Sequence, residues 1–407
     1  MKILVINADC LTRNSSANLC HLAYIRGLLE AEYEVSVLSA DGRDYALDAN
    51  MQIPEKANSY TVYGVSLYEK FSLRKNQNLS PASTTATNQN VTTYKNGWVS
   101  KIKEGIRSLY GPHGIYSAFV KKASDFKLEE QFDILLSIST PPASHLLAYK
   151  LLEKGNVRAT HWIQVWEDPW YCDAYGFNNN TAIYKEEKRL LSLAECVCYV
   201  SPLTLKRQQE LYPESADKMY WQPVPAYYKE LEKVEVELQK KNIYGYFGDY
   251  TPAVRDLKPF YMAAKQTGIT VNICGNPSGL FESTDAISLY PRLPLNELKP
   301  IENDTNVLIF LCNRRGGQIP GKIYQYSATE KTILFILDGT ENEKKVLKEY
   351  FGQFARYIFC ENTVEDITRA IVEIENNRIY KVINRPLDCF SPKKIVKKIL
   401  CGVEEQT

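Results

Sequence analysis

Lys2-Ile3-Leu4-Val5-Ile6-Asn7, then Ala17-Asn18-Leu19-Cys20-His21-Leu22-Ala23-Tyr24-Ile25-Arg26-Gly27-Leu28-Leu29-Glu30, then Tyr33-Glu34-Val35-Ser36-Val37-Leu38 are the three stretches that decide the fold class. The first and third are short, apolar and β-rich. The second repeats apolar residues at 19, 22, 23, 25, 28 and 29, which is helical spacing. A β-α-β opening predicts a parallel sheet, because a helix-length crossover returns the chain to the same edge. The intervening loop, Ala8 to Ser16, has no G-x-G-x-x-G, which argues against a nicotinamide-dinucleotide enzyme. Ser15 and Ser16 stand just before the helix. A hydroxyl there caps free backbone N–H groups, and a helix start also attracts anions, so the pair is a candidate loop facing a donor or acceptor.

The same alternation continues outward. Strands are expected at 132–138, 160–165 and 196–200, with helices over 144–152, 182–195 and 203–211. Gln222-Pro223-Val224-Pro225 then breaks the pattern, and a charged linker follows over 229–241. Beyond it strands are expected at 242–248, 269–274, 306–311, 332–337 and 356–360. Helices are expected at 256–266, 319–329, 341–352 and 363–376, and a basic helix closes the tail at 386–401. A chain of 407 residues exceeds one ordinary α/β domain. The expected organisation is therefore two Rossmann-like α/β domains facing a central cleft, 1–222 and 223–385, with 386–407 returning to the first. Ligands of such sheets bind outside the carboxyl ends of the strands.

Composition narrows the partners. A net charge of +1 excludes a whole-protein nucleic-acid binder. No apolar run is long enough to cross a membrane, and the start of the chain lacks the apolar length of a signal peptide. Ten scattered cysteines form no Cys-x-x-Cys pair, and Cys196 and Cys198 share one face of a strand, so buried free thiols in a reducing, cytoplasmic compartment are expected. Four histidines and the absence of any D-x-D triplet leave no metal ligands in view. Residues 76–96 are polar and of low complexity. Their flanks carry Lys70, Arg74, Lys75, Lys95, Lys101, Lys103, Arg107, Lys121 and Lys122 interleaved with Trp98, Tyr110, Tyr116 and Phe119. Such a stretch, with Lys393, Lys394, Lys397 and Lys398 of the tail, suits either a solvated surface or an anionic membrane face.

Two further stretches resemble a known family. Phe132-Asp133-Ile134, Ser139-Thr140-Pro141-Pro142-Ala143-Ser144-His145 and Glu167-Asp168-Pro169-Trp170 follow a strand, S-x-P-P-x-S-x-H, helix, strand, R-D-P-W order. Ile319-Pro320-Gly321-Lys322-Ile323-Tyr324-Gln325-Tyr326-Ser327-Ala328-Thr329-Glu330-Lys331-Thr332-Ile333-Leu334 is similar to I-P-G-K-x-x-E-Y-x-A-x-G-K-P-I-L. The chain thus resembles GT-B glycosyltransferases of the family 4 type over nearly its whole length. It departs from them at Gly317 and Gln325, where the family's E-x7-E element carries acids, at Glu330, where glycine is usual, and at Glu167, where many relatives have histidine.

The resemblance implies a nucleotide-sugar co-substrate and no other cofactor, with retention of anomeric configuration and no dedicated protein base. The leaving diphosphate needs fixed cations and dipoles. The candidates are Arg255, Lys258, Lys322 and Gly321. Gln325, Gly317 and Gln318 stand at the ribose and sugar positions, and Gln325 keeps one acceptor where the family has a carboxylate. Asp168 and Glu167 are the catalytic candidates of the first domain, Asp168 as an orienting acid flanked by Trp166 and Trp170. His145 is expected to cap or pack, His161 to lie in the core, Glu187 to be a solvated charge, and Arg314 to be exposed. The expected acceptor is a glycan or lipid-linked molecule. The alternatives are a non-catalytic sugar-nucleotide-binding scaffold and a nucleotide-sugar epimerase.

Overall fold

The computed structural model describes residues 1–43, 45, 47–65, 112–114, 116–173, 180–227, 242–276, 279–376 and 385–404. The chain forms two compact units, Met1–Pro223 with Pro392–Thr407, and Val224–Ser391. The expected insertion from Lys70 to Arg107, with Trp98 and Tyr110, and the linker 229–241 lie outside the described residues.

The first unit is built on seven parallel strands in the order β3-β2-β1-β4-β5-β6-β7. They are β1 (Lys2–Ile6), β2 (Glu34–Ala40), β3 (Asn58–Val62), β4 (Gln131–Ser139), β5 (Arg158–Trp166), β6 (Cys196–Tyr199) and β7 (Met219–Trp221). Ile3 pairs with Val35 on one side and Ile134 on the other, so the chain reverses its direction of travel across the sheet at β1 and β4. The helices are α1 (Ser16–Glu30), α2 (Tyr116–Ala123), α3 (Ala143–Glu153), α4 (Thr181–Leu193) and α5 (Pro202–Leu211). Central strands read as unbroken apolar runs because helices cover the sheet. Phe132, Leu135, Trp166, Tyr199 and Tyr212 form part of the resulting core.

The last helix, α11 (Pro392–Glu404), belongs to this unit. Its apolar stripe, Ile395, Val396, Ile399, Leu400 and Val403, is buried, and Lys393, Lys394, Lys397 and Lys398 are exposed. It packs on α1 at Gly27, where an added Cβ would fall 2.3 Å from the Pro392 carbonyl oxygen. Tyr220 fastens it by donating its hydroxyl hydrogen to the Ile399 carbonyl at 2.6 Å.

The second unit repeats the plan with six parallel strands in the order β10-β9-β8-β11-β12-β13. They are β8 (Ile243–Phe247), β9 (Thr270–Cys274), β10 (Ile287–Tyr290), β11 (Val307–Leu311), β12 (Thr332–Leu337) and β13 (Ile358–Glu361). Its helices are α6 (Lys258–Thr267), α7 (Leu295–Asp304), α8 (Lys322–Ser327), α9 (Glu341–Gly352) and α10 (Val364–Asn376). Tyr244, Phe260, Ile309 and Leu334 lie in its core. The direction of travel reverses here at β8 and β11.

Both units are therefore Rossmann-like, and the α/β class read from the opening residues holds in each. The reading missed β3, β7, β10 and α7. β3 and β10 are partly exposed edge strands without a continuous apolar signal, and α7 carries Pro300 inside it. The helix expected at 319–329 is shorter, Lys322–Ser327, with Gly321 at its cap position and Ile319-Pro320 irregular before it. Phe119 is core, not an interfacial aromatic, because α2 turns it onto the sheet. No helix of the described residues is long and apolar enough to cross a membrane.

Candidate functional site

Each unit gathers polar groups at the carboxyl ends of its strands, where the direction reverses. In the second unit β8 ends at Phe247 and its loop carries Asp249 and Arg255. Arg255 Nε donates to Asn313 Oδ1 at 2.7 Å, and its Nη1 donates to the Asp249 carbonyl at 3.1 Å. Asn313, just beyond β11, also donates from Nδ2 to the Gln318 carbonyl at 3.2 Å. Backbone ties join the same two loops, with the Arg314 N–H donating to Val254 O at 2.8 Å. Gly316 and Gly317 follow with φ of 94° and 68°, consecutive left-handed residues that only glycine adopts without strain. Arg292, beyond β10, faces Asp249 Oδ2 at 3.4 Å.

The sequence candidates separate here. Arg255, Gly317 and Gln318 belong to the two stitched loops. Lys258 is the exposed first residue of α6, and its own N–H donates to Asp256 Oδ1 at 3.1 Å. Lys322 reaches Glu302 Oε1 of α7 at 3.2 Å, so an internal carboxylate already faces its charge. Gly321 occupies the cap position of α8 without a side-chain cap. Gln325 is 4% exposed, and its Oε1 has no hydrogen-bond partner among the described residues. A buried amide oxygen without a donor costs free energy on the order of 1–3 kcal/mol, which a ligand hydroxyl would recover. Arg314 and Arg315 are exposed, and Arg314 lies between Asp256 and Asp338 at 3.7 and 3.8 Å.

In the first unit Asn7 follows β1, Ser139 ends β4 and Glu167 follows β5. Asn7 Nδ2 lies 3.0 Å from His21 Nδ1 and 3.1 Å from the Ile138 carbonyl, and Asn7 Oδ1 accepts from the Asp9 N–H at 2.8 Å. In the neutral ring this amide donates to Nδ1, leaving Nε2 to donate to Glu167 Oε2 at 3.2 Å. Burial opposes the His21 imidazolium and the facing Glu167 carboxylate favours it. The balance lies above the ordinary histidine value. Arg13 closes the same edge with a 2.6 Å contact to Asp9 Oδ2. Ser15 is the α1 cap, its Oγ accepting from the Asn18 N–H at 3.1 Å, and Ser16 is the first helical residue.

Asp168 is exposed, and Glu167 beside it faces His21. The segment after them is held from below by Glu187 of α4, which accepts from Trp170 N at 3.1 Å, Tyr171 N at 2.6 Å and the Tyr212 hydroxyl at 3.0 Å. Burial pushes this carboxyl up to about 7 against those three bonds. Glu187 is thus fully buried, not solvated, because it falls on the stripe of Ile183, Leu190 and Leu191. His145 packs on Trp166 with ring centroids 4.3 Å apart, its Nδ1 is 2.8 Å from Ser137 Oγ, and burial holds its pKa well below the usual value. His161 is not core. It sits at the open start of β5, half-buried, with Nδ1 3.0 Å from Glu195.

His21, Asn7, Asp9, Arg13, Asn313 and Arg292 escaped the sequence reading. No short motif marks them: His21 meets Glu167 146 positions away and Asn313 meets Arg255 58 positions away, through strand order rather than sequence spacing. Glu187 had a visible signal: its helical phase with Ile183 and Leu190. The described residues contain no group of acids, cysteines and histidines arranged to hold a metal ion.

No known protein family matches the chain, and no curated protein does. Solved structures do. A glycosyltransferase from Rickettsia africae ESF-5 is 13% identical with a TM-score of 0.57, covering 99% of this chain and 98% of its own. Sucrose-phosphate synthase from Thermosynechococcus elongatus is 11% identical with a TM-score of 0.55, over 100% and 97% of the two chains. A lipopolysaccharide outer core galactosyltransferase is 11% identical with a TM-score of 0.54, over the full length of both. At such identities the likeness is one of fold, and together with the two parallel sheets it establishes that this chain has the GT-B fold of two Rossmann-like units.

Proposed function

We propose that the protein is a glycosyltransferase that moves a sugar from a nucleotide-diphosphate sugar to a polysaccharide-precursor or lipid-linked acceptor. The observation that carries the reading is Arg255, half-buried where the second sheet reverses and braced by Asn313 beside the left-handed pair Gly316-Gly317. A braced guanidinium and close-approaching backbone offset the charge that develops on a departing diphosphate, without reorganising at the moment of reaction. Lys258 and Lys322 are the further cations, Lys322 by exchanging Glu302 for phosphate. Gly321 brings backbone toward the same oxygens. Gln325, Gly317 and Gln318 take the ribose and sugar, with Gln325 Oε1 as acceptor.

In the first unit Asp168 orients the sugar or the acceptor hydroxyl. Glu167 is the second polar contact, and Ser15 and Ser16 face the ligand from the helix start. The reaction retains configuration and uses no metal. The exposed lysines of α11 support a peripheral position on the anionic inner face of a membrane, where a lipid-linked acceptor lies.

A second reading, a sugar-nucleotide-binding scaffold, is favoured by one fact: Gly317 and Gln325 stand where the resembled family has acids. The deciding experiment measures nucleotide release from UDP-, GDP-, ADP- and TDP-sugars, with a membrane extract as acceptor, in EDTA. Transfer from one donor, lowered on the order of 100-fold or more by Arg255→Ala, is the expected result. Binding without turnover of any donor selects the scaffold.

A further inference from the structure

Glu187 is the only buried glutamate among the described residues. Among the described residues, neither of its oxygens faces a cation. Both accept hydrogen bonds, from Trp170 N, Tyr171 N and the Tyr212 hydroxyl. Two of those donors are the backbone of the segment that begins with Glu167 and Asp168. Titratable groups near the carboxylate include Tyr212, just after α5, Tyr199, the last residue of β6, and Asp173, which continues the same segment and opposes a second negative charge. On the far side, the Trp170 ring packs at a 42° tilt against His113 with centroids 4.8 Å apart, and His113 Nε2 lies 3.0 Å from Glu186 Oε1. Adjacent residues of α4 therefore hold Trp170 twice, through its backbone and through its ring partner.

We propose that Glu187 is a positioning residue: its carboxylate sets the conformation of Glu167 to Tyr171, and proton uptake at that carboxylate loosens the segment. Ionised, it makes charge-assisted bonds to two backbone N–H groups. Protonated, it can give its hydrogen to Tyr212, whose hydroxyl turns to accept it. The bonds to Trp170 and Tyr171 then become neutral ones, about half as strong. Burial places this change near neutral pH. The consequence for turnover rests on the transferase reading, whereas the effect on the segment does not.

The test uses the full chain labelled with ¹⁵N-tryptophan, with the Trp170 backbone amide assigned by its loss in Trp170→Phe. Between about pH 5.5 and 8.5 that amide signal should move with a midpoint near 7. Glu187→Gln, which keeps His113 and Glu186 in place, should abolish the movement. Tyr212→Phe removes a donor to the ionised form and should raise the midpoint. An amide that stays still over this range, or that moves equally in Glu187→Gln, overturns the inference. So does a midpoint that Tyr212→Phe lowers, which keeps the test decisive should Glu187→Gln fail to fold. Failure of every donor to react, with the amide titrating as described, would instead overturn the transferase reading alone.

Discussion

Arg255 and Lys322 are both cations of the second unit, yet their surroundings differ. Arg255 is braced by the Asn313 amide oxygen and the Asp249 carbonyl, which hold its guanidinium in place. Lys322 faces the Glu302 carboxylate. Two substitutions separate their roles. Lys322→Ala should weaken nucleoside diphosphate binding less than Arg255→Ala does, and Glu302→Gln, which removes the competing anion, should strengthen it; titration calorimetry with each diphosphate measures both. Glu187 makes a prediction about stability. Its pKa is about 7 in the folded chain and lies at the ordinary glutamate value of about 4.3 when unfolded. The folded state then binds more protons between those values, so its contribution favours folding below the unfolded value and is lost as pH rises through 7. By pH 8 the loss is on the order of 3 kcal/mol. His21, also raised, acts in the same sense. Urea midpoints should accordingly be lower at pH 8 than at pH 6, and the difference should shrink in Glu187→Gln.

At the scale of elements, the contact of α1 with α11 leaves no room for a side chain at Gly27, which admits the Pro392 carbonyl. Gly27→Ala should destabilise the first unit by about 1–3 kcal/mol, read from its urea unfolding. The elements also show what the sequence discloses. β1, α1, β2 and β4 were legible because buried parallel strands are nearly all apolar and the helix between them keeps its 3.6-residue phase. β3, with Asn58, Ser59 and Thr61 along an edge, has too little apolar surface to announce itself, and Pro300 hides α7. The site was legible only in part. Arg255 is legible from its place just after a strand end, and Gln325 from its position in the family motif. Asn313 and His21, which brace Arg255 and Glu167, become visible only when strand order brings distant loops together. Glu187 was misjudged because an acid on an amphipathic helix usually faces water.

For the whole molecule, two all-parallel sheets present polar clusters at the carboxyl ends of their strands, each at its point of reversal. The four exposed lysines of α11 belong to the first unit. Binding to vesicles containing anionic phosphatidylserine or phosphatidylglycerol should fall steeply with added salt, and replacement of the four lysines by glutamine should abolish it; co-sedimentation measures both. The central claim, that the second unit holds a nucleoside diphosphate at Arg255, is tested most directly by the thermal transition of the full chain with UDP, GDP, ADP or TDP. One of the four should raise the midpoint of the wild-type chain and leave Arg255→Ala unmoved. Four unmoved midpoints, or a shift that survives the loss of Arg255, would contradict it.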